Sequence, residues 1–88
     1  MCRNIKTLFN FEPPATPDDV HASSLQFVHK LSGFQKPSRV NRAAFDREIA
    51  EVSRTATTLL ESLVTTAAPR DREIEAARAR ERAAKRFA

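Results

Sequence analysis

The sequence predicts an all-α fold: a small three-helix protein, a long helical hairpin with an extended N-terminal arm and a weakly docked, charged C-terminal helix. Three observations lead there. Apolar residues recur at spacings of three and four over two separate stretches, helix-starting and helix-stopping residues bracket both, and the last twenty residues are dominated by Ala, Arg and Glu, which favour helix. With 88 residues the chain has room for one small domain. Its 21 large apolar side chains, each contributing about 1.5–3 kcal/mol when fully buried, nearly cancel against the entropy of ordering the chain. A thin core is expected, one that gains from a partner.

Residues 1–16 form the arm. Ile5, Leu8, Phe9 and Phe11 are too apolar for a free tail, and Pro13-Pro14 end whatever local structure they have. The arm is expected to lie across the helices, with Phe9 and Phe11 mostly buried against Phe27, Val28 and the Phe45–Leu63 seam. Residues 17–66 form the hairpin. Thr16 can cap its first helix, Pro17 suits the first turn, and Asp18 and Asp19 complement the helix dipole. Val20, Ser24, Phe27, Val28 and Leu31 share one face, Leu25 widens it, and Gly33 can take the left-handed conformation that stops the helix near residue 32. Pro37 disfavours helix at Lys36, so the second helix starts between Ser38 and Asn41, both good caps. Along it Phe45, Ile49, Val52, Ala56, Leu59 and Leu63 follow a heptad-like spacing that needs a facing helix, which the first helix supplies. Leu60 and Val64 extend this face.

Thr65 to Pro69 break the pattern, and residues 67–88 make the third helix, opened by Pro69 and Asp71. Of the 21 large apolar residues only Ile74 and Phe87 follow Val64. The remaining contact strip is alanine, which buries little area, so this helix is expected to be dispensable for folding.

Composition excludes several chemistries. One Gly, where ordinary usage gives about six, rules out glycine-rich phosphate loops. One Cys rules out an intramolecular disulfide and any multi-thiolate zinc site. Cys2 would carry a free amine and a thiol if Met1 were removed, yet no Cys-His or Ser-His-Asp pattern accompanies it. His21 and His29 stand about 12 Å apart along the first helix, too far to share one ion. Asp18-Asp19 serve the helix start, while Asp46, Glu48 and Glu51 interleave with Arg42, Arg47 and Arg54 as a solvated face. No catalytic residue, metal site or cofactor is expected. No apolar run reaches the roughly 20 residues that span a bilayer, and the first residues lack a signal-peptide core, so a soluble cytoplasmic protein without a membrane partner is expected.

Charge carries what functional signal remains. Residues 21–40 hold three basic and no acidic residues, and residues 67–88 hold seven basic against four acidic. Lys30, Lys36, Arg39 and Arg42 surround Phe34, a combination suited to phosphates with a base stacked alongside. Arg78, Arg82, Lys85 and Arg86 share one face of the third helix, with Arg80 among its alanines; arginines pair with phosphates through bidentate contacts. The expected function is non-enzymatic binding of RNA, alone or in a ribonucleoprotein, or of other nucleic-acid phosphates through these residues. The alternative is an adaptor or small subunit that buries its Ala-rich helix or its seam on another protein chain. A third, plainer reading takes the net charge of +4 as a contribution to solubility alone.

Several short stretches together also resemble one family. They are Cys2-Arg3-Asn4-Ile5-Lys6, the run from Leu8 to Thr16, the segment Leu25-Gln26-Phe27-Val28 through Ser32-Gly33 to Lys36-Pro37-Ser38, Ala44-Phe45-Asp46, Leu63-Val64-Thr65-Thr66, and Pro69-Arg70-Asp71-Arg72-Glu73. The chain is similar along nearly its whole length to a family of small bacterial proteins catalogued as domain of unknown function 2277. The resemblance implies a stand-alone bacterial protein and transfers no site residue.

Overall fold

The computed structural model describes residues 5–87, with Phe87 by its backbone alone; the reading of Cys2 lies outside the described residues. In chain order the elements are β1 (Phe11–Glu12), α1 (Pro17–Ser32), α2 (Arg42–Ser62), β2 (Arg70–Asp71) and α3 (Arg72–Phe87). The fold is predominantly helical, and its one sheet is a two-residue parallel pairing of β1 with β2, Phe11 opposite Arg70 and Glu12 opposite Asp71.

Local chemistry sets the helix ends. Thr16 is extended, its hydroxyl accepts from the Asp19 N–H (3.2 Å), and Asp19 Oδ2 accepts from the Thr16 N–H (2.9 Å), a complete capping box. Gly33 ends α1 at φ 77°, its N–H donating to the His29 carbonyl. Asn41 precedes α2 as expected but does not cap it with its side chain: the amide turns back to donate to Ser38 Oγ at 3.1 Å. The helix then stops at Ser62, where Leu63 turns extended. Asp71 Oδ1 accepts from the Ile74 N–H at 3.0 Å and so caps the first turn of α3.

The core lies between α1 and α2. Val20, Phe45 and Ile49 are the buried apolar residues among those described, and Ser24 is the most buried of all, its hydroxyl donating to the Val20 carbonyl. A serine at this contact lets the two helices approach closely. The end of α1 lies beside the start of α2, where Val28 and Leu31 share a cavity wall with Phe45 and Val52. At the other end, Pro17 and Val20 face Thr57 and Glu61.

Two packing expectations need correction. The α2 seam is not covered along its length, since Leu59 and Leu63 are 57% and 43% exposed. A straight α-helix drifts by about 20° per heptad from a 3.5-residue seam, so by the third heptad Thr57, Leu60 and Glu61 face α1 and the arm instead. Nor are the arm's rings deep in the core. Phe9 is half-buried, and the half-buried Phe11 ring lies under two guanidinium groups, Arg70 at 5.8 Å and Arg72 at 5.1 Å from its centroid. Phe27, expected to cover these rings, is itself 44% exposed.

The arm is instead fastened by polar contacts with the segment before α3. Asn10 adopts φ 62°, a left-handed conformation that Asn tolerates. Its carbonyl accepts from the Arg70 N–H at 2.8 Å, and its side-chain amide donates to the Ala68 carbonyl at 3.2 Å. Arg72 donates twice to the Pro13 carbonyl, at 3.1 and 3.3 Å. The dispensability expected of residues 67–88 therefore cannot extend to Arg70–Arg72, which hold the arm.

The result is flat and open, 44 × 38 × 16 Å, with a radius of gyration of 15.5 Å where a compact chain of this length has about 12 Å.

Arg72→Gln should lower unfolding free energy by about 1–2 kcal/mol, the value of a charged donor to a carbonyl plus a cation–π contact. It should also speed hydrogen exchange at the Arg70 amide, and unchanged exchange there would show that the arm is held by something else. The capping box gives a pH dependence. The Thr16 backbone N–H, then the Thr16 hydroxyl and the Arg72 and Lys6 charges, outweigh burial and hold the Asp19 carboxyl below the usual carboxylate range. A carboxylate depressed in the folded state stabilises above its unfolded pKa, and that contribution disappears as pH falls through the folded value. Urea unfolding between neutral and acid pH should show this loss, and Asp19→Asn should flatten it.

Candidate functional site

The connector between α1 and α2 is built by Gly33, which turns the chain out of α1, and by Ser32, whose hydroxyl accepts from the Phe34 N–H at 3.2 Å. This fixes the Phe34 ring against Phe45, with centroids 6.3 Å apart and planes tilted by 48°. On the adjoining turn the His29 ring meets Phe45 in the same way, at 6.2 Å and 43°. Phe45 is buried, so it anchors both rings, while Phe34 keeps half of its surface in solvent.

The His29 ring also lines an open cavity of about 570 Å³, together with Gln26, Lys30, Gly33, Gln35 and Lys36, while Phe34 stands outside its wall. No carboxylate lines it. Of the basic connector residues singled out from the sequence, Lys30 and Lys36 share this cavity, whereas Arg39 and Arg42 are exposed and outside its wall. The ammonium groups of Lys30 and Lys36 are compact, hydrated point charges that could neutralise a phosphate or carboxylate entering the cavity.

The α3 cations form a second set. Arg78 pairs with Glu75 at 3.5 Å, both side chains at least one-third exposed, which leaves the pairing weak. Arg80, Arg82, Lys85 and Arg86 are exposed, and among the described residues none of them is ion-paired. The connector cavity includes no α3 residue.

Arg70 and Arg72 do not stand out in the sequence, although they add to the same positive segment. The structure uses both on Phe11 and Arg72 also on Pro13. No sequence signal separates them from the arginines of α3, because what distinguishes them is a partner 59 residues away.

Two further concavities lie along the helices. One, of about 480 Å³, runs under the arm between Leu8, Phe9, Phe11, Val20 and Leu60. The other is more open, about 730 Å³, between the start of α1 and Ser53, Arg54 and Thr57 of α2. Ser53 Oγ is, among the described residues, a buried hydroxyl without a hydrogen-bond partner. Among those residues no group of three His, Cys, Asp or Glu side chains could hold a metal ion, and no helix is long and apolar enough to cross a membrane.

An unpartnered buried hydroxyl costs about 1–3 kcal/mol relative to an apolar group. Ser53→Ala should therefore raise unfolding free energy by about 1 kcal/mol. A loss of stability on this substitution would mean that the hydroxyl has a partner in solution.

A family model described as "Uncharacterized conserved protein (DUF2277)" matches residues 1–78. No curated protein and no solved structure matches the chain.

Proposed function

The chain belongs to the DUF2277 family of uncharacterized conserved proteins, and from its own residues we propose that it is a small non-enzymatic binding protein for RNA or other nucleic-acid phosphates. The observation that carries this reading is the acid-free cavity lined by Lys30 and Lys36, with the His29 ring in its wall and the half-exposed Phe34 on the same connector. A phosphate entering there meets two cations, and the attached base has an aromatic face on which to stack, a contact worth about 1–3 kcal/mol per base. Arg39 and Arg42 extend the positive surface along the connector. The unpaired arginines and lysine of α3 supply a second set of phosphate contacts, with α3 attached through its first turn and otherwise docked weakly. In this reading α1 and α2 serve as a rigid helical hairpin, the arm as its strap, and the protein works in the cytoplasm, where RNA is available.

An adaptor or subunit role is the second reading. It is favoured by the exposure of Leu31 (73%) and Leu59 (57%) on the faces of α1 and α2, since apolar patches rimmed by polar residues mark interaction sites.

The test is a salt series with single- and double-stranded RNA. Two variants are compared with the wild type: Lys30→Gln with Lys36→Gln, and Arg78→Gln with Arg82→Gln, Lys85→Gln and Arg86→Gln. Each should bind about tenfold or more weakly at low salt, and the salt slope should flatten by about one unit for every phosphate that the variant no longer neutralises. The α3 variant should keep wild-type stability within about 0.5 kcal/mol per substitution. Salt-insensitive binding equal in all three proteins, or no binding by any, rejects the nucleic-acid reading.

A further inference from the structure

The chain exposes 7208 Å², while a folded monomer of 9.9 kDa exposes about 5,200 Å². Roughly 2,000 Å² more surface therefore meets solvent than a chain of this mass ordinarily leaves uncovered. Part of that surplus is apolar and continuous. Phe27 and Leu31 of α1 meet Val52 of α2 in one shallow cavity of about 400 Å³. Val52 then lines a second of about 350 Å³ with Ala56 and Leu59. The arm lies over a different groove, the one lined by Val20, Thr57 and Leu60, so it does not cover this strip.

We propose that a second copy of this chain covers the strip, the two copies related by a two-fold axis with their α2 helices antiparallel. The inference extends the adaptor reading by naming the partner, and it is independent of phosphate binding. Three observations favour a second copy. First, a specific interface of ordinary size buries about 800 Å² on each partner, less than the whole chain's surplus of roughly 2,000 Å². Second, the strip suits self-association by charge. The charged side chains that line its two cavities are Glu48 and Glu51, and each carboxylate is ion-paired, Arg47 with Glu48 and Arg54 with Glu51. A nearly neutral face of mixed sign can meet itself without repulsion, as a two-fold interface requires. Third, Val52, Ala56 and Leu59 keep the spacing that packs knobs into holes, and Ala56 lets a facing helix approach closely. The first half of that seam is filled by α1, and the second half of an identical α2 offers the same spacing in return.

The experiment is sedimentation equilibrium with interference optics, because the chain has no Trp or Tyr to absorb, on nuclease-treated full-length protein so that no nucleic acid bridges two copies. The wild type should sediment with a mass approaching twice 9.9 kDa, with a roughly micromolar dissociation constant, the weak end for an interface of this size. Leu31→Arg and Leu59→Arg alter residues already exposed in the single chain, so each should stay helical by circular dichroism and sediment as a monomer. Val40→Arg, at an 89% exposed position outside the strip, should leave the dimer intact. Three outcomes overturn the proposal: a monomeric wild type across the concentration range, a dimer that survives both strip substitutions, and a dimer that Val40→Arg dissolves equally. If the RNA titrations fail while this mass shift holds, the phosphate reading falls and the dimer stands; the reverse result removes the dimer alone.

Discussion

The arm strap, in which Asn10, Phe11 and Pro13 are held by Arg70 and Arg72, is the contact on which the rest of the arrangement depends. Arg72 joins three parts of the chain. It donates to the Pro13 carbonyl of the arm, it lies over the Phe11 ring, and its charge helps to keep Asp19 of α1 ionised. Closing a loop of this length costs roughly 3–4 kcal/mol. Four hydrogen bonds at about 1 kcal/mol each and two cation–π contacts of about 0.5–1 kcal/mol each exceed that by only about 1–3 kcal/mol. With so narrow a margin, the strap forms together with the α1–α2 pairing that brings its ends close. In return it covers Val20 and Leu60, which a core with so few buried apolar side chains cannot leave in water.

Much of this was legible in the sequence, for specific reasons. The α1 boundaries follow from Thr16, Pro17, Asp19 and Gly33, each of which acts through bonds spanning at most four residues, and they emerged where expected. The β1–β2 pairing was not legible. Two residues on each side give no period, and its specificity lies in the φ of Asn10 and a partner nearly sixty residues on. The arm's placement failed for a related reason. Burial alone favours placing its rings on the apolar seam, but Phe11 meets two guanidinium groups, which cover an aromatic face while staying hydrated at their edges. For the candidate site, the sequence showed that the connector is basic and free of acid. It could not show that only Lys30 and Lys36 converge on a cavity, since that depends on how Gly33 and Phe34 turn the chain.

The same thin core shapes the surface. A chain with one short helix against a longer one cannot wrap apolar residues on both sides, and the arm supplies only one cover. The face it leaves open carries Leu31 and Leu59, while the cations collect on the connector and α3. Exposed apolar residues also stand among those cations, Phe34 and Val40 on the connector and Ile74 on α3.

The thin core also bears on the composition of α3. A helix recruited for packing would carry large apolar residues at the spacing seen in α2, whereas α3 places alanines there and lies against β2 at its first turn. Its acidic residues Glu73 and Glu75 sit in the first turn and Lys85 and Arg86 in the last, where the dipole favours each. Such a helix can hold its own shape with little help from the core. Its outer arginines are then presented on a semi-rigid rod rather than a flexible tail, so a phosphate chain meeting them finds charges already spaced at helical intervals. In the proposed phosphate-binding role, contact with such a rod would cost less conformational entropy than it would for a disordered basic segment.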